Sequence, residues 1–414
     1  MDRDLTNMRI AVVHDWLVTY GGAERVLEEI LKLFPHADLF SLVDGLAEDE
    51  REFIGHRKVT TTFLQRFPNV ARHYRKYLPF MPYAIEQLDL SDYDLVISSS
   101  HAVAKGVLTY GDQTHISYFN GIMNYAWGLY HFYLKDGGLT SGLKGLFAKL
   151  MLHRVRIWDA CTANRVDHYI ANSGHMARNI RRIYGKPSTI IHPPVDTEKF
   201  TFCDDKDDYY VAVARLVPIK RIDLIVEAFK QMPTKRLVVL GDGPEMDRIK
   251  ALAGDNVELL GNSPQATVAR YMANAKALIT ASVEPFGIAS VEAQACGTPV
   301  IAFGRGGALE TILENQTGVF FLRQQAEDIV DAVERFDRIS GGFDPHAIRE
   351  QALQFSKESF RRKFMAFVES ALADEDRRNT LRLTRPPESS KWITARTNRL
   401  TVTSSLREES LVEK

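Results

Sequence analysis

The sequence predicts an α/β protein built from two doubly wound, parallel-sheet domains facing a cleft. Three observations carry that expectation. The chain has 414 residues, more than a single ordinary core organises. A short apolar strand, a glycine-containing loop and an amphipathic helix open the chain at Arg9, and the same unit restarts at Tyr209, as doubly wound sheets begin. Between them Pro193-Pro194 and the polar run Asp196–Asp208 interrupt regular structure. The expected organisation is a first domain over 8–192, a linker over 193–208, a second domain over 209–354, a terminal helix over 355–373 and a polar, poorly ordered tail over 374–414.

The elements follow in order. Arg9–Val13 (RIAVV) reads as a strand, and AERVLEEILKLF after Gly21-Gly22 reads as an amphipathic helix. The dinucleotide pattern G-x-G-x-x-G is absent here, which disfavours a nicotinamide cofactor. Gly21 and Gly22 serve either a plain tight turn or close approach of backbone to a ligand. Asp38–Val43, Tyr93–Ser98, His115–Phe119, Asp167–Ala171 and Ser188–His192 read as further strands. His101 falls just past the C-terminal end of Tyr93–Ser98, where ligands bind in open α/β sheets. In the second half, Tyr209, Lys235–Leu240, Val257–Leu260, Lys276–Thr280 and Thr298–Ala302 mark strands. Phe360, Phe364 and Phe367 line one face of the terminal helix.

Composition narrows the function classes. Hydrophobic residues make up 45% and charged residues 25% of the chain, with a net charge of −1. These are the values of a soluble globular protein with no global attraction to nucleic acid. Cys161, Cys203 and Cys296 have no paired spacing and fit a reducing cytosol. The start MDRDLTNM does not read as a signal peptide, and no apolar run is long enough to span a bilayer. Two stretches do mix cations with aromatic or apolar residues: Phe63–Tyr83, with Arg66, Arg72, Arg75 and Lys76, and Leu143–Arg156, with Lys144, Lys149 and Arg154. Both suit a membrane surface, or equally a core-covering helix with a solvated back.

The richest stretch is Ala281–Thr311. Glu284 and Glu292 flank Pro285, Phe286 and Gly287, and a helix over Ile288–Ala295 follows, with Ile288, Val291 and Ala295 on one face. The free amides at Gly287, Ile288 and Ala289 favour an anionic phosphate. A carboxylate nearby accepts hydrogen bonds from paired hydroxyls. Arg215 and Lys220 follow the first strand of the second domain and suit a diphosphate.

With Glu-Pro-Phe-Gly, the second Glu and Cys-Gly-Thr-Pro-Val in place, the sequence resembles the retaining glycosyltransferases of family 4, of GT-B fold, from about Met8 to Glu369. The resemblance implies that the second domain binds most of a nucleoside-diphosphate sugar and the first an acceptor. In that reading Arg215 and Lys220 hold the diphosphate and Glu292 the ribose. Glu284 holds the donor hexose, Gly261 borders the base, and His101 meets the sugar across the cleft beside Gly21 and Gly22. The terminal helix then returns to the first domain. Two departures stand out: Asn120-Gly121-Ile122 where relatives carry a His-Thr-Pro-like turn, and Lys220-Arg221 where Lys-Gly is common. No Asp-x-Asp metal motif is present, so a metal is not expected. SSSHAVAKGV, LPFMPYAIEQLDL and FSKESF further resemble bacterial mannosyltransferases of polysaccharide and O-antigen assembly. That implies GDP-mannose as donor, with rhamnose, glucose, galactose and N-acetylglucosamine donors left open, and a lipid-linked saccharide as acceptor, at the inner face of the cell membrane. A sugar-nucleotide epimerase of the same fold and a non-catalytic sugar-nucleotide-binding subunit stay open.

Overall fold

The structure is a computed structural model that describes residues 5–384, with side chains to 375. Two all-parallel sheets form it. The first has seven strands: β1 (Ile10–His14), β2 (Asp38–Ser41), β3 (Val59–Thr61), β4 (Leu95–Ser100), β5 (Thr114–Phe119), β6 (His168–Ala171) and β7 (Thr189–Ile190), in the order β3-β2-β1-β4-β5-β6-β7. The second has six: β8 (Tyr209–Val213), β9 (Arg236–Leu240), β10 (Val257–Gly261), β11 (Ala277–Thr280), β12 (Val300–Phe303) and β13 (Gly318–Phe321), in the order β10-β9-β8-β11-β12-β13. Both sheets wind outward from their first strand in two directions. The order therefore reverses beside β1/β4 and beside β8/β11, and a crevice opens there at the carboxyl ends.

Strands covered on both faces lose the in–out alternation of a half-exposed sheet. Accordingly β1, β4 and β5 are buried at every position. Helix α1 (Gly22–Leu33) lays Val26, Leu27 and Ile30 on the first sheet, with Glu24 turned back to accept from the Gly21 amide at 2.9 Å. The long helix α7 (Lys357–Thr384) crosses back from the second domain and inserts Phe360, Phe364 and Val368 into the first core beside Ile10 and Tyr118. Arg361 ties it to the buried Glu29 at 2.7 Å. This helix runs on to Thr384, so 374–384, expected as tail, is helical. The rest of that tail, 385–414, lies outside the described residues.

The two basic stretches differ. In Phe63–Tyr83, the rings of Phe63, Phe67, Tyr74 and Tyr77 pack on the first core, while Phe80 and Tyr83 are exposed. Two helices follow β5: α2 (Tyr130–Asp136) and α3 (Gly142–Cys161). Along α3 only Gly145, Val155 and Asp159 are buried. No helix among the described residues is long and apolar enough to cross a membrane.

Candidate active site

The crevice holds a cavity of about 480 Å³ with walls from both domains. Its second-domain wall is the loop from β11 into helix α5 (Ile288–Ala295). Gly287 caps that helix at φ 94°, a left-handed conformation that only glycine adopts without strain. No side chain caps the helix, so its first amides and the positive end of its dipole face the cavity at Gly287, Ile288 and Ala289. Close backbone packing fixes the loop. Gly307 donates to the Glu284 carbonyl at 2.8 Å, and a Cβ on Gly306 would stand 2.4 Å from that same oxygen. The Gly-Arg-Gly-Gly run after β12 is thus a clamp on the Glu284 loop.

Glu284 accepts from Lys220 and, at 2.6 Å, from the Ser282 hydroxyl. Burial alone would raise its carboxyl, but Lys220 beside it outweighs this and holds it below the usual carboxylate range. Lys220 ends a 3₁₀ turn, Pro218–Lys220. Arg221 after it sits at φ 54°, which explains physically why a glycine suits that position.

The first-domain wall comes from the ends of β1 and β4. Asp15, wholly buried, accepts from the amides of His101, Ala102, Val103 and Ala104 at 2.6–2.9 Å. His101 Nδ1 lies 3.1 Å from Asp15 Oδ2, and Trp16 meets the ring edge-on at 4.6 Å. Burial pushes the His101 imidazole below its ordinary pKa even with Asp15 adjacent. His14, also wholly buried, places Nε2 3.4 Å from Glu24. Burial raises the Glu24 carboxyl, and the hydrogen bond and charge of His14 outweigh that and lower it.

A second cavity, of about 750 Å³, adjoins the first. Trp16, Tyr74, Tyr125 and Phe132 contribute aromatic lining, with Arg75 and Arg215 as cations. His101, Asn120 and Pro285 line both cavities, so His101 marks their junction.

Of the residues singled out in the sequence, Gly22, His101, Lys220, Glu284, Phe286, Gly287, Ile288 and Ala289 line the first cavity. Gly21 stands one residue away as the α1 cap. Arg215 does not join Lys220: it is exposed and lines the second cavity. Gly261 lies outside both, its carbonyl accepting from the Gly241 amide at 2.9 Å. Glu292, expected to present a carboxylate to hydroxyls, is instead engaged by Arg25 of α1 at 2.6 Å across the cleft. A buried carboxylate without a partner is costly, and the cation that meets this one belongs to the other domain.

A further cross-domain carboxylate is not visible in sequence. Glu310, on the short helix α6 (Ala308–Thr311), accepts from the Gly174 and His175 amides at 2.7 and 3.0 Å, at the start of helix α4 (Gly174–Tyr184). His192 Nε2 stands 3.2 Å from it. Asp15 has a cue, an acid at the end of the first strand. Arg25 and Glu310 have none, because their partners lie 267 and 136 residues away.

Comparison with known proteins bears on this arrangement. Residues 20–199 match the model described as Glycosyltransferase Family 4, and residues 196–352 match Glycosyl transferases group 1. A D-inositol 3-phosphate glycosyltransferase of Mycobacteroides abscessus is 30% identical over 237 residues, covering 51% of this chain and 53% of that one. The protein of the same description from Mycobacterium leprae is 30% identical over 268 residues, covering 56% and 62%. The chain thus spans between half and two thirds of the length of these curated relatives. Among solved structures, Anabaena HepE in complex with UDP and glucose aligns at TM-score 0.64 and 19% identity, over 88% of this chain and 100% of that one. The lipopolysaccharide outer core galactosyltransferase WaaB aligns at 0.60 and 18%, over 88% and 99%. At such identities the likeness is one of fold.

Proposed function

Because its two parts match the Glycosyltransferase Family 4 and Glycosyl transferases group 1 models and it has the GT-B fold, we propose that this chain is a family 4 retaining hexosyltransferase acting on a saccharide acceptor. The observation that carries the reading is the junction at His101. One cavity ends on the amides of α5, which suit a nucleoside diphosphate, and the adjoining one leaves room for an acceptor. An epimerase needs no second chamber, and a mere binding subunit needs no histidine between two.

The chemistry follows from the charges. As the bond from the anomeric carbon to the diphosphate oxygen breaks, negative charge grows on the leaving group. Lys220 and the α5 amides stabilise it, with Arg215 available from the adjoining cavity wall. Preorganised donors of this kind supply on the order of 3–4 kcal/mol each, so these groups meet the leaving charge without a metal. The acceptor hydroxyl attacks from the same face and passes its proton to the departing phosphate oxygen. Glu284 holds hexose hydroxyls and Glu292, once parted from Arg25, those of the ribose.

The donor we favour is GDP-mannose, on the resemblance to bacterial mannosyltransferases, and the acceptor a lipid-linked saccharide of cell-surface polysaccharide assembly, reached from the cytoplasmic face. The solved neighbour with UDP and glucose keeps UDP-sugars in the test. Thermal-shift titration of the purified chain with a panel of sugar nucleotides ranks donors, since ligand bound to the native state raises stability with the logarithm of its excess. Donor turnover is then followed. Release of free hexose supports transfer, an isomerised sugar nucleotide identifies an epimerase, and binding without turnover identifies a non-catalytic subunit.

A further inference from the structure

Helix α3 is inverted relative to an ordinary surface helix. Its core side carries Gly145, Val155 and Asp159. The opposite stripe carries Leu143, Leu146, Phe147, Leu150 and Ile157, which are 87, 65, 60, 48 and 52% exposed. Helical spacing places these five on a single outward ridge. Leu143, Leu146, Phe147 and Leu150 form an unbroken apolar patch, with Ile157 two turns further along the same face beyond Arg154, and an exposed apolar patch of this kind marks a surface that something covers.

The charges around the ridge indicate what covers it. From Gly142 to Trp158 the helix has four cations, Lys144, Lys149, Arg154 and Arg156, and no acid. Asp159, its one acid, is buried against Lys105 at 2.8 Å. Lys149 is spent on the Thr140 carbonyl and Arg156 on that of Ala126. Lys144 and Arg154 make no hydrogen bond or ion pair among the described residues. An isologous contact with a second copy would bring this uniformly positive helix against itself. An anionic lipid surface complements it and accepts the apolar side chains between its headgroups.

The ridge is also joined to the site. Phe132, Tyr133 and Asp136 of α2 line the larger cavity, and a short loop over 137–141 leads from α2 into α3. The helix that carries the ridge is thus continuous in the chain with a wall of the larger cavity. The stretch Phe63–Tyr83 differs, because most of its rings are turned into the core.

We infer that the outward ridge of α3 is a docking face for an anionic bilayer. The inference deepens the lipid-linked acceptor reading above and rests on it for its purpose, not for its geometry. The experiment is flotation of the full chain with phosphatidylglycerol–phosphatidylcholine vesicles and with pure phosphatidylcholine vesicles. It is run for wild type, Leu146→Ser/Phe147→Ser and Lys144→Glu/Arg154→Glu. Wild type floats with the anionic vesicles at low salt and much less with the neutral ones. Each double variant lowers the bound fraction at least tenfold. Because the altered side chains are exposed, both variants keep the wild-type melting temperature and the wild-type thermal shift with GDP or UDP. Three results overturn the inference: wild type stays unbound at low salt; either double variant floats like wild type; or sedimentation shows a dimer that the Leu146/Phe147 pair disrupts, making a second copy the occupant. Loss of the nucleotide shift in wild type would instead contradict the donor reading and leave the flotation result standing.

Discussion

The two walls of the cleft are built by different means. On the first-domain wall, one buried carboxylate, Asp15, gathers four consecutive amides and fixes the turn that carries His101. Asp15 is thereby satisfied within its own domain. On the second-domain wall the amides of α5 stay open and both carboxylates are paired, Glu284 with Lys220 of the same domain and Glu292 with Arg25 reaching across from the first. Fixed geometry suits a group that must meet a reacting sugar at a set distance. Exchangeable ion pairs and open amides suit a polyanion that enters and leaves. Under the proposed function the difference separates positioning from binding, one wall for each.

The largest effect belongs to Lys220. Under the proposed function Lys220→Ala removes a cation from the leaving diphosphate, and it takes from Glu284 its ion-pair partner. Turnover falls about 10²–10³-fold, while affinity for the nucleoside diphosphate falls less, because the charge develops on departure. Steady-state kinetics beside calorimetry check the split, and an equal loss in both would refute it.

Asp15→Asn acts on the other wall. An amide presents a donor where four amides need an acceptor, so stability drops by roughly 3 kcal/mol, read as a lower urea midpoint with unchanged slope. At temperatures where the variant is folded, kcat falls and nucleotide affinity does not.

His115 gives a pH test of the scaffold beneath that wall. The Arg165 carbonyl, 2.8 Å away, accepts from its Nδ1–H, and the Ser98 hydroxyl donates to Nε2 at 2.8 Å. The ring is therefore held neutral, and burial pushes its pKa down from 6.5 to about 4. The unfolded chain binds a proton near pH 6.5 that the folded chain refuses. Stability from this group is complete above that pH and declines as pH falls toward 4, by about 3 kcal/mol at 1.36 kcal/mol per pH unit. Denaturation curves at pH 7 and 4.5 show the loss, and His115→Gln flattens it.

The smallest effect falls on Arg25. If Glu292 must leave Arg25 before it holds a ribose, Arg25→Ala tightens nucleoside diphosphate binding about fivefold, near 1 kcal/mol. Weaker binding in that variant would show that Arg25 itself holds the nucleotide.

What is legible in the sequence divides along a similar line. Helix α5 can be read at its true limits, Ile288–Ala295, because small apolar residues at helical spacing follow a glycine. The alternation of strands and helices predicts six of the seven strands of the first sheet and five of the six of the second for the same reason, local pattern determining local structure, and misses the short edge strands β3 and β13. Lys220 and Glu284 stand out singly, but their pairing does not. Glu292 reads as open and is held by a residue from the other domain. Spacing alone puts Arg215 with Lys220, yet Leu216 is buried and Arg215 is turned out toward the second cavity. Asp15 and Glu310 bind distant backbone amides, which leave no trace in side-chain patterns. Local periodicity is written in the chain, whereas contacts closed by tertiary packing are not.

The division of labour between the walls stands or falls on His101. GDP and UDP are titrated into wild type and His101→Ala by calorimetry, with turnover measured on the same preparations. The variant is expected to bind the preferred nucleotide within about twofold of wild type, a few tenths of a kcal/mol, while turnover falls about 10²-fold or more. Parallel losses of affinity and turnover would contradict the division, because the first-domain wall would then be holding the nucleotide.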